Sequence, residues 1–153
     1  MILKLKRYYK DEDATDGILT LKGKRICCTA EHTPTCLKPG KYRIQQKTHV
    51  LNPAKKVTYP EDVVRIPANI REMPCLFQGK GKKSLGCIRP GNGIHTLHDA
   101  SIIVGERRAI GLCIHTNETF EKLFSRLRKS WKRKEKTYLL VEDDYEENMN
   151  CSI

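Results

Sequence analysis

Apolar and polar residues alternate with a period of two along parts of the first half of the chain, as they do in half-buried β-strands. Residues 2–9 and 41–47 follow this pattern. Two further short strand-like segments, residues 17–21 and 25–30, flank Lys22-Gly23-Lys24. A short glycine-containing turn between such segments predicts a β-hairpin. We therefore expect at least four short strands in this half of the protein.

The second half of the chain predicts a mixture of strands and irregular structure. Residues 52–60 begin with Asn-Pro and end with Tyr-Pro, which indicates a loop, and residues 71–89 carry three glycines among lysines. Residues 101–104 and 109–115 are apolar enough to form two further strands. A turn is expected between these strands, at residues 105–108.

One long helix is predicted near the C-terminus, because apolar residues recur there at helical spacing. The apolar stripe consists of Phe120, Leu123, Phe124, Leu127 and Trp131. Thr116 or Asn117 is suited to cap the first turn, and Glu118 suits the positive end of the helix dipole. A closing strand is expected at residues 136–141.

These elements predict an α+β fold, mostly an antiparallel β-sheet or small barrel with one amphipathic C-terminal helix packed on it. A chain of 153 residues fits one domain with one core. We assign residues 1–141 to this domain and residues 142–153 to an acidic C-terminal tail. No apolar run approaches the roughly 20 residues that a membrane-spanning helix needs. The N-terminal segment lacks the apolar core of a secretory signal, so we expect a cytoplasmic protein.

Basic residues give the chain a formal net charge of +11 and are concentrated in one segment. From Lys122 to Lys136 there are eight lysines or arginines and one acid, Glu135. A basic face of this kind attracts polyanions such as nucleic acid. However, part of the cluster suits the negative end of the helix dipole, and no aromatic side chains interleave with the charges to stack on bases. The pattern favours a solvated helix face over a nucleic-acid-binding face.

The cysteines and histidines do not follow a known metal-binding pattern. Seven cysteines, an odd number with no C-x-x-C pair, indicate reduced thiols when no secretory signal is present. His95 and His98 have the spacing of a ligand pair, but Cys87 and Asp99, their natural partners, match no known zinc arrangement. Residues 79–84 lack the glycine spacing of a phosphate-binding loop. We therefore expect no metal and no cofactor.

Three short motifs, in their order along the chain, resemble a known pattern. They are Pro39-Gly40-Lys41-Tyr42-Arg43-Ile44, Ile88-Arg89-Pro90-Gly91-Asn92 and Asp99-Ala100-Ser101-Ile102-Ile103-Val104-Gly105. Their order resembles an uncharacterised family of phages and Bacteroidetes mobile elements, whose members carry I-P-x-G-T-Y, then I-H-x-G-N, then D-T-x-G-C-I-x-V-G. The histidine and cysteine of that pattern in turn resemble those of L,D-transpeptidases, which use a cysteine nucleophile on peptidoglycan peptides. The resemblance covers residues 2 to about 141.

Both reactive positions of this pattern are changed in the chain. Arg89 stands in place of the histidine, and Ser101 stands in place of the cysteine. Arginine does not accept a proton at ordinary pH, and a serine hydroxyl needs a base even more than a thiol does. The resemblance therefore implies a non-catalytic or degenerate member of the family. Arg89 with Asn92 remains able to bind a carboxylate, for example of a peptidoglycan peptide or another anionic ligand.

A second phrase offers an alternative nucleophile. Residues 84–89, Ser-Leu-Gly-Cys-Ile-Arg, resemble the S-x-G-C-I-R sequence around the transpeptidase cysteine itself. A thiol needs a neighbouring base or positive charge to react. His49 is far upstream in the sequence, whereas His95 and His98 follow a tight turn that is able to fold either ring toward Cys87. The candidate catalytic residues are Cys87, His95, His98, Asp99 and Ser101.

Three functions remain open at this point. The first is a non-catalytic binding module of the transpeptidase-like family. The second is a cysteine acyl-transferase or peptidase that uses Cys87, and the third is a nucleic-acid-binding accessory protein that uses the basic face from Lys122 to Lys136. The distances from the Cys87 thiol to the histidine rings distinguish the first two, because a general base must lie within hydrogen-bonding reach.

Overall fold

The computed structural model describes residues 1–145. Eleven strands and one long helix follow one another along this part of the chain. They are β1 (Ile2–Lys10), β2 (Ala14–Leu21), β3 (Lys24–His32), β4 (Gly40–Asn52), β5 (Lys55–Thr58), β6 (Val63–Ile66), β7 (Asn69–Gln78), β8 (Gly86–Arg89), β9 (Ile102–Ala109), β10 (Leu112–Ile114), α1 (Thr116–Lys132) and β11 (Tyr138–Asp143).

Eight of the strands close into a barrel, in the order β9-β3-β2-β1-β11-β4-β7-β8, with β8 pairing back onto β9. β1 with β11 and β8 with β9 are parallel, and the other neighbours are antiparallel. β10 pairs with β9 outside this ring, and β5 and β6 form a separate two-stranded sheet. The expected fold class, α+β with a small barrel and one helix near the C-terminus, is confirmed.

Side chains that alternate along the strands fill the barrel, as the sequence pattern predicts. Leu3 and Leu5 of β1 lie in one buried cluster with Leu19 of β2. Between β2 and β3 the chain turns at Lys22 and Gly23, which have positive φ angles of 52° and 78°. Such turns match the right-handed twist of the flanking strands and favour glycine. The hairpin predicted around Gly23 is confirmed.

The apolar stripe of α1 packs into the same buried cluster. Phe120, Leu123, Phe124 and Leu127 are buried, and Trp131 is half-buried at the end of the stripe. Full burial of one such side chain is worth about 1.5–3 kcal/mol, so the stripe holds the helix firmly on the barrel. Among residues 1–145, no helix is both long and apolar enough to cross a bilayer.

The start of α1 differs from the expected side-chain cap. His115 occupies the position before the first turn, with a left-handed backbone (φ 54°) and no capping hydrogen bond from its side chain. Thr116 uses its hydroxyl oxygen differently, accepting a hydrogen bond from the backbone N–H of Gly91 at 3.3 Å. Thr116 therefore connects the helix to the loop that follows β8.

A buried ion pair joins β1 to β3. Arg7 Nε and Nη2 donate to the two carboxylate oxygens of Glu31 at 2.9 and 2.7 Å, and both side chains are almost fully buried. Arg7 Nη1 also donates to Asp143 Oδ1 of β11 at 3.2 Å. Burial acts to lower the pKa of Arg7, but the hydrogen bonds and charge of Glu31 outweigh it and raise that pKa above its usual range. Burial raises the pKa of Glu31, and the hydrogen bonds from Arg7 oppose this effect. Arg7 thus links three strands of the barrel.

Several segments are more regular than the sequence pattern predicted. β9 runs through the turn expected at residues 105–108, and that expectation is wrong. The chain turns instead at Gly111, whose φ is +70° and whose N–H donates to Asp16 Oδ1 at 3.1 Å. Residues 71–89, expected to be irregular, contain most of β7 and all of β8. The loop expected at residues 52–60 contains β5.

The last strand begins and ends two residues later than expected, since β11 spans Tyr138–Asp143. Glu142 and Asp143, which we assigned to the acidic tail, pair with Lys6 and Arg7 of β1. The part of the tail from residue 146 to residue 153 lies outside the described residues.

Candidate functional site

Cys87 and Ser101, the two alternative nucleophiles, contact each other. Cys87 lies in β8 and Ser101 immediately precedes β9, and the two strands are aligned by the parallel pairing of Ile88 with Ile102. The backbone N–H of Cys87 donates to Ser101 Oγ at 3.0 Å. The Ser101 hydroxyl in turn donates to Cys87 Sγ at 3.7 Å. Ser101 therefore holds Cys87 in place.

Both side chains are closed off from solvent. Cys87 is 0% exposed, and Ser101 is 1% exposed. Burial raises the pKa of the Cys87 thiol to about 12, although the hydrogen bond from Ser101 acts in the opposite direction. The thiol is therefore protonated at neutral pH. Because the thiolate is the nucleophile, Cys87 in this state is unreactive.

The glycine that precedes Cys87 has a packing role. A Cβ atom on Gly86 would lie 2.5 Å from the backbone nitrogen of Ser101 and 2.6 Å from the carbonyl carbon of Ala100. The adjacent backbone N–H of Ala100 donates to the carbonyl of Leu85 at 3.1 Å. Residues 84–89, which resemble a catalytic motif in sequence, therefore need their glycine for the close approach of two backbone segments.

Asp99 connects Ser101 to His49, a histidine that the sequence interpretation set aside as too distant. Asp99 Oδ1 accepts a hydrogen bond from the backbone N–H of Ser101 at 2.9 Å, and Asp99 Oδ2 lies 3.5 Å from His49 Nε2. Within residues 1–145, no hydrogen bond joins His49 to the Ser101 hydroxyl or to the Cys87 thiol. In a catalytic triad the base forms a hydrogen bond with the nucleophilic side chain itself. His49 forms none with Ser101 Oγ or Cys87 Sγ, so this arrangement does not transfer the nucleophile's proton.

His95 and His98 lie at the surface, whereas Cys87 lies inside. The segment that carries them packs Ile94 and Leu97 into a second buried cluster with Ala30 and Cys113, so its histidines face solvent. Among the described residues, no histidine ring is within hydrogen-bonding reach of the Cys87 thiol. The same part of the chain contains no group of three or more side chains arranged to hold a metal ion.

Arg89 and Asn92, the candidate ligand-binding residues, face different surroundings. Arg89 is almost fully buried, and its Nε donates to the carbonyl of Pro90 at 3.1 Å. Asn92 is exposed and lines an open cavity of about 400 Å³ with His115 and Thr116 at the start of α1. Arg89 does not line this cavity. The structure therefore does not bring the two residues together around one ligand.

A second cavity, of about 300 Å³, lies at the C-terminal end of α1, and we call it the helix-end cavity. Its lining residues are Arg43, Ile44, Gln45, Trp131, Glu135, Lys136, Thr137 and Tyr138. Trp131 Nε1 donates to Thr137 Oγ1 at 2.8 Å, and the Thr137 hydroxyl donates to the carbonyl of Ile44 at 2.7 Å. These bonds fix the indole ring at one wall of the cavity.

Arg43 connects the helix-end cavity to the loop between β7 and β8. Arg43 Nε donates to the carbonyl of Gly79, and Nη2 donates to the carbonyl of Gly81, each at 2.6 Å. The loop held in this way carries three exposed lysines, which are Lys80, Lys82 and Lys83. The sequence interpretation missed this connection, because Arg43 meets the loop only through the pairing of β4 with β7.

The exposed side of α1 is also basic. Four exposed basic residues lie three or four positions apart and therefore share one side of the helix, namely Lys122, Arg126, Lys129 and Arg133. Arg133 forms an ion pair with Glu135, with Nε and Oε1 2.7 Å apart. Within residues 1–145, no other lysine or arginine from Lys122 to Lys136 has a carboxylate oxygen within 4.0 Å. Most of these charges are therefore free to bind a ligand.

No family model, no curated protein and no solved structure matches the chain.

Proposed function

We propose that this protein is a non-catalytic binding protein that takes a polyanion, single-stranded nucleic acid, at the helix-end cavity and the basic surface around it. In this proposal the transpeptidase-like segments serve the fold, and Ser101 with Gly86 positions β8 against β9. The burial of Cys87 and the raised pKa of its thiol support the non-catalytic part, because an acyl transfer needs an accessible thiolate and a base.

The observation that carries the proposal is the contact of Arg43 with the lysine loop. Arg43 and Lys136 line one cavity, and Arg43 also donates two hydrogen bonds to the loop that carries residues 80–83. This basic loop is therefore anchored to a residue of the cavity wall, at the end of the basic segment 122–136. Positive charges gathered at a concave surface raise the local concentration of anionic ligands. Lysine and arginine contacts to phosphates supply most of the affinity of sequence-independent nucleic-acid binding.

Aromatic side chains in the cavity favour nucleic acid over other polyanions. Trp131 and Tyr138 both line the cavity, and Lys41 Nζ lies 4.2 Å from the centre of the Tyr138 ring. Single-strand binding sites combine a positive groove with aromatic rings on which bases stack, and each stacked base is worth about 1–3 kcal/mol. The sequence interpretation favoured a solvated helix face because it found no such rings beside the charges.

The separation of charge along β11 also supports the proposal. Tyr138 begins β11 at the cavity, whereas Glu142 and Asp143 end it. At about 3.3 Å per residue, these carboxylates lie roughly 15 Å from the cavity. These two carboxylates therefore do not compete directly with phosphates around Lys136, and Glu135, which does line the cavity, is paired with Arg133.

Fluorescence provides the test, because Trp131 is the only tryptophan in the chain. Titration with a short oligothymidylate should quench the fluorescence of Trp131, and the affinity should fall as the NaCl concentration rises. Heparin, which carries negative charge but no bases, should compete for the surface without producing the same quenching. Equal quenching by heparin would contradict a site built for stacked bases.

A charge-reversal variant tests whether the loop and the helix end act as one site. The double variant Lys82→Glu/Lys136→Glu should bind oligothymidylate at least roughly tenfold more weakly than the wild type. The matched control, Lys10→Glu/Arg108→Glu, makes the same change in charge at two exposed positions outside the cavity. Equal losses in both variants, or no binding by the wild type at low salt, would overturn the proposal.

A further inference from the structure

The hairpin of β5 and β6 forms a two-stranded sheet of its own, and we call residues 55–66 the arm. Its register pairs Lys55 with Ile66 and Val57 with Val64. At its tip, the backbone N–H of Tyr59 donates to the carbonyl of Asp62 at 2.7 Å, and the N–H of Asp62 donates back at 3.4 Å. Tyr59 and Asp62 therefore extend the ladder by one more pair.

One face of the arm is apolar at its centre and oppositely charged at its two ends. Residues directly across a hairpin, and residues two apart along each strand, share a face. This face carries Lys55 and Ile66 at its root, Val57 and Val64 at its centre, and Tyr59 and Asp62 at its tip.

Three of the four apolar side chains of this face are exposed, and the fourth, Val57, is half-buried. Tyr59 is 55% exposed, Ile66 is 46% exposed and Val64 is 41% exposed. A lone two-stranded hairpin is at best marginally stable in water, and contiguous exposed apolar side chains mark an interaction site. A partner on this face would remove apolar area from water and stabilise the hairpin at the same time.

We propose that the partner is the same face of a second copy of the chain, packed antiparallel about a twofold axis. Antiparallel packing sets the Val57 and Val64 centres against each other. It also places the Lys55 end of each arm over the Asp62 end of the other, so the twofold axis produces the opposite-charge contact twice. Parallel packing would instead bring lysine ends together and aspartate ends together, which costs electrostatic energy.

The other face of the arm is unsuited to the same contact. It carries Lys56 directly across from Arg65, and its one exposed apolar side chain, Val63, lies across from Thr58. Two copies that packed through this face would bring four positive charges together with no carboxylate among these paired residues. The charge pattern therefore selects the face that contains Val64.

Sedimentation velocity over a range of protein concentrations tests the dimer. The wild type should self-associate, and Val64→Lys should raise the dissociation constant at least roughly tenfold. Because β5 and β6 pair only with each other, the far-UV circular dichroism of the barrel should be retained. The matched control is Ile110→Lys, at an apolar residue that is 49% exposed and lies outside the arm. A wild type that remains monomeric, or equal weakening by both changes, would overturn the proposal.

A charge exchange tests the antiparallel arrangement independently of burial. Lys55→Asp and Asp62→Lys should each weaken self-association, because each homodimer then contains two like-charge contacts. A mixture of the two variants should associate again, because both contacts in the mixed dimer join opposite charges. Failure of the mixture to associate would rule out the antiparallel arrangement. A monomeric wild type whose nucleic-acid binding is weakened by Val64→Lys would instead assign the arm to the nucleic acid.

Discussion

The hydroxyl of Ser101 accepts a hydrogen bond from the backbone N–H of Cys87 and donates one to the thiol of the same residue. In the sequence these two residues are alternative nucleophiles, and in the structure each is the other's hydrogen-bonding partner. The single hydroxyl proton of Ser101 is committed to Sγ, and the thiol is sealed from solvent. The contact therefore connects β8 to β9, and its loss should lower the stability of the fold.

Replacing Ser101 by alanine should lower the free energy of unfolding by about 1–3 kcal/mol, because the buried N–H of Cys87 loses its acceptor. Urea denaturation followed by circular dichroism measures this change. The control is Ser125→Ala, at a half-buried serine on α1, which should stay within about 0.5 kcal/mol of the wild type. Equal free energies of unfolding for the Ser101→Ala variant and the wild type would show that the contact does not stabilise the fold.

Alkylation of the native protein should modify Cys36 well before Cys87. Cys36 is half-buried, whereas the other cysteines of residues 1–145 are buried. Iodoacetamide labelling at pH 7.5, followed by peptide mass spectrometry, gives the order of modification, and labelling in urea gives the reference rates. If Cys87 were the fastest thiol, and reacted at a pH well below its raised pKa of about 12, the cysteine enzyme would become the better interpretation.

The protein should lose stability at alkaline pH through its buried thiols. Burial raises the pKa of Cys27, Cys87 and Cys113 from 9.0 to about 12. The folded protein keeps protons that the unfolded chain releases above pH 9.0, so the free energy of unfolding should fall between pH 9.0 and about 12. Each thiol contributes a slope of at most about 1.4 kcal/mol per pH unit.

Cys113→Ala should reduce that slope relative to the wild type, because one fewer thiol releases its proton on unfolding. Urea denaturation at several pH values gives both slopes, and lysines and tyrosines contribute alike to the two proteins. Identical slopes would show that the thiol of Cys113 does not keep its proton preferentially in the folded state.

Glu31→Gln should destabilise the barrel by about 3–5 kcal/mol, because it leaves the buried Arg7 guanidinium without its main counter-charge. The double variant Arg7→Met/Glu31→Leu should lose less, since no uncompensated charge remains. The exposed pair of Arg71 and Glu121 provides the control, and Glu121→Gln should cost less than about 1 kcal/mol. A Glu31→Gln variant no less stable than the Glu121→Gln variant would contradict this role for the pair.

Local sequence patterns were sufficient for the elements that depend on near neighbours. The hairpin around Gly23 follows from its turn residues, and α1 follows from the spacing of residues such as Phe120 and Leu127. The turn predicted at residues 105–108 is wrong; the prediction followed from a glycine followed by charged residues, a pattern that indicates a turn. In the structure Gly105 lies in β9, and the glycine is needed there for packing, because a Cβ would lie 2.6 Å from the carbonyl oxygen of Ile114.

The candidate site depended on contacts that no local pattern contains. His49 meets Asp99 across the fold, and Arg43 meets Gly79 through the register of β4 with β7. Strand register sets these distances, and register follows from how the whole barrel closes. A sequence motif also does not show whether its residues are buried. Cys87 therefore resembles a catalytic cysteine in sequence, although in the structure it is 0% exposed.

The position of β11 between β1 and β4 has a consequence for how the protein is made. Ile2 pairs with Tyr138, and Val141 pairs with Gly40. β1 therefore completes its pairing only after β11, more than a hundred residues further along the chain, has been translated. Until residue 143 has left the ribosome, the nascent chain keeps the edges of β1 and β4 open and its core incomplete. Closure of the barrel therefore follows the synthesis of β11, and until then the incomplete barrel exposes strand edges of the kind that chaperones shield.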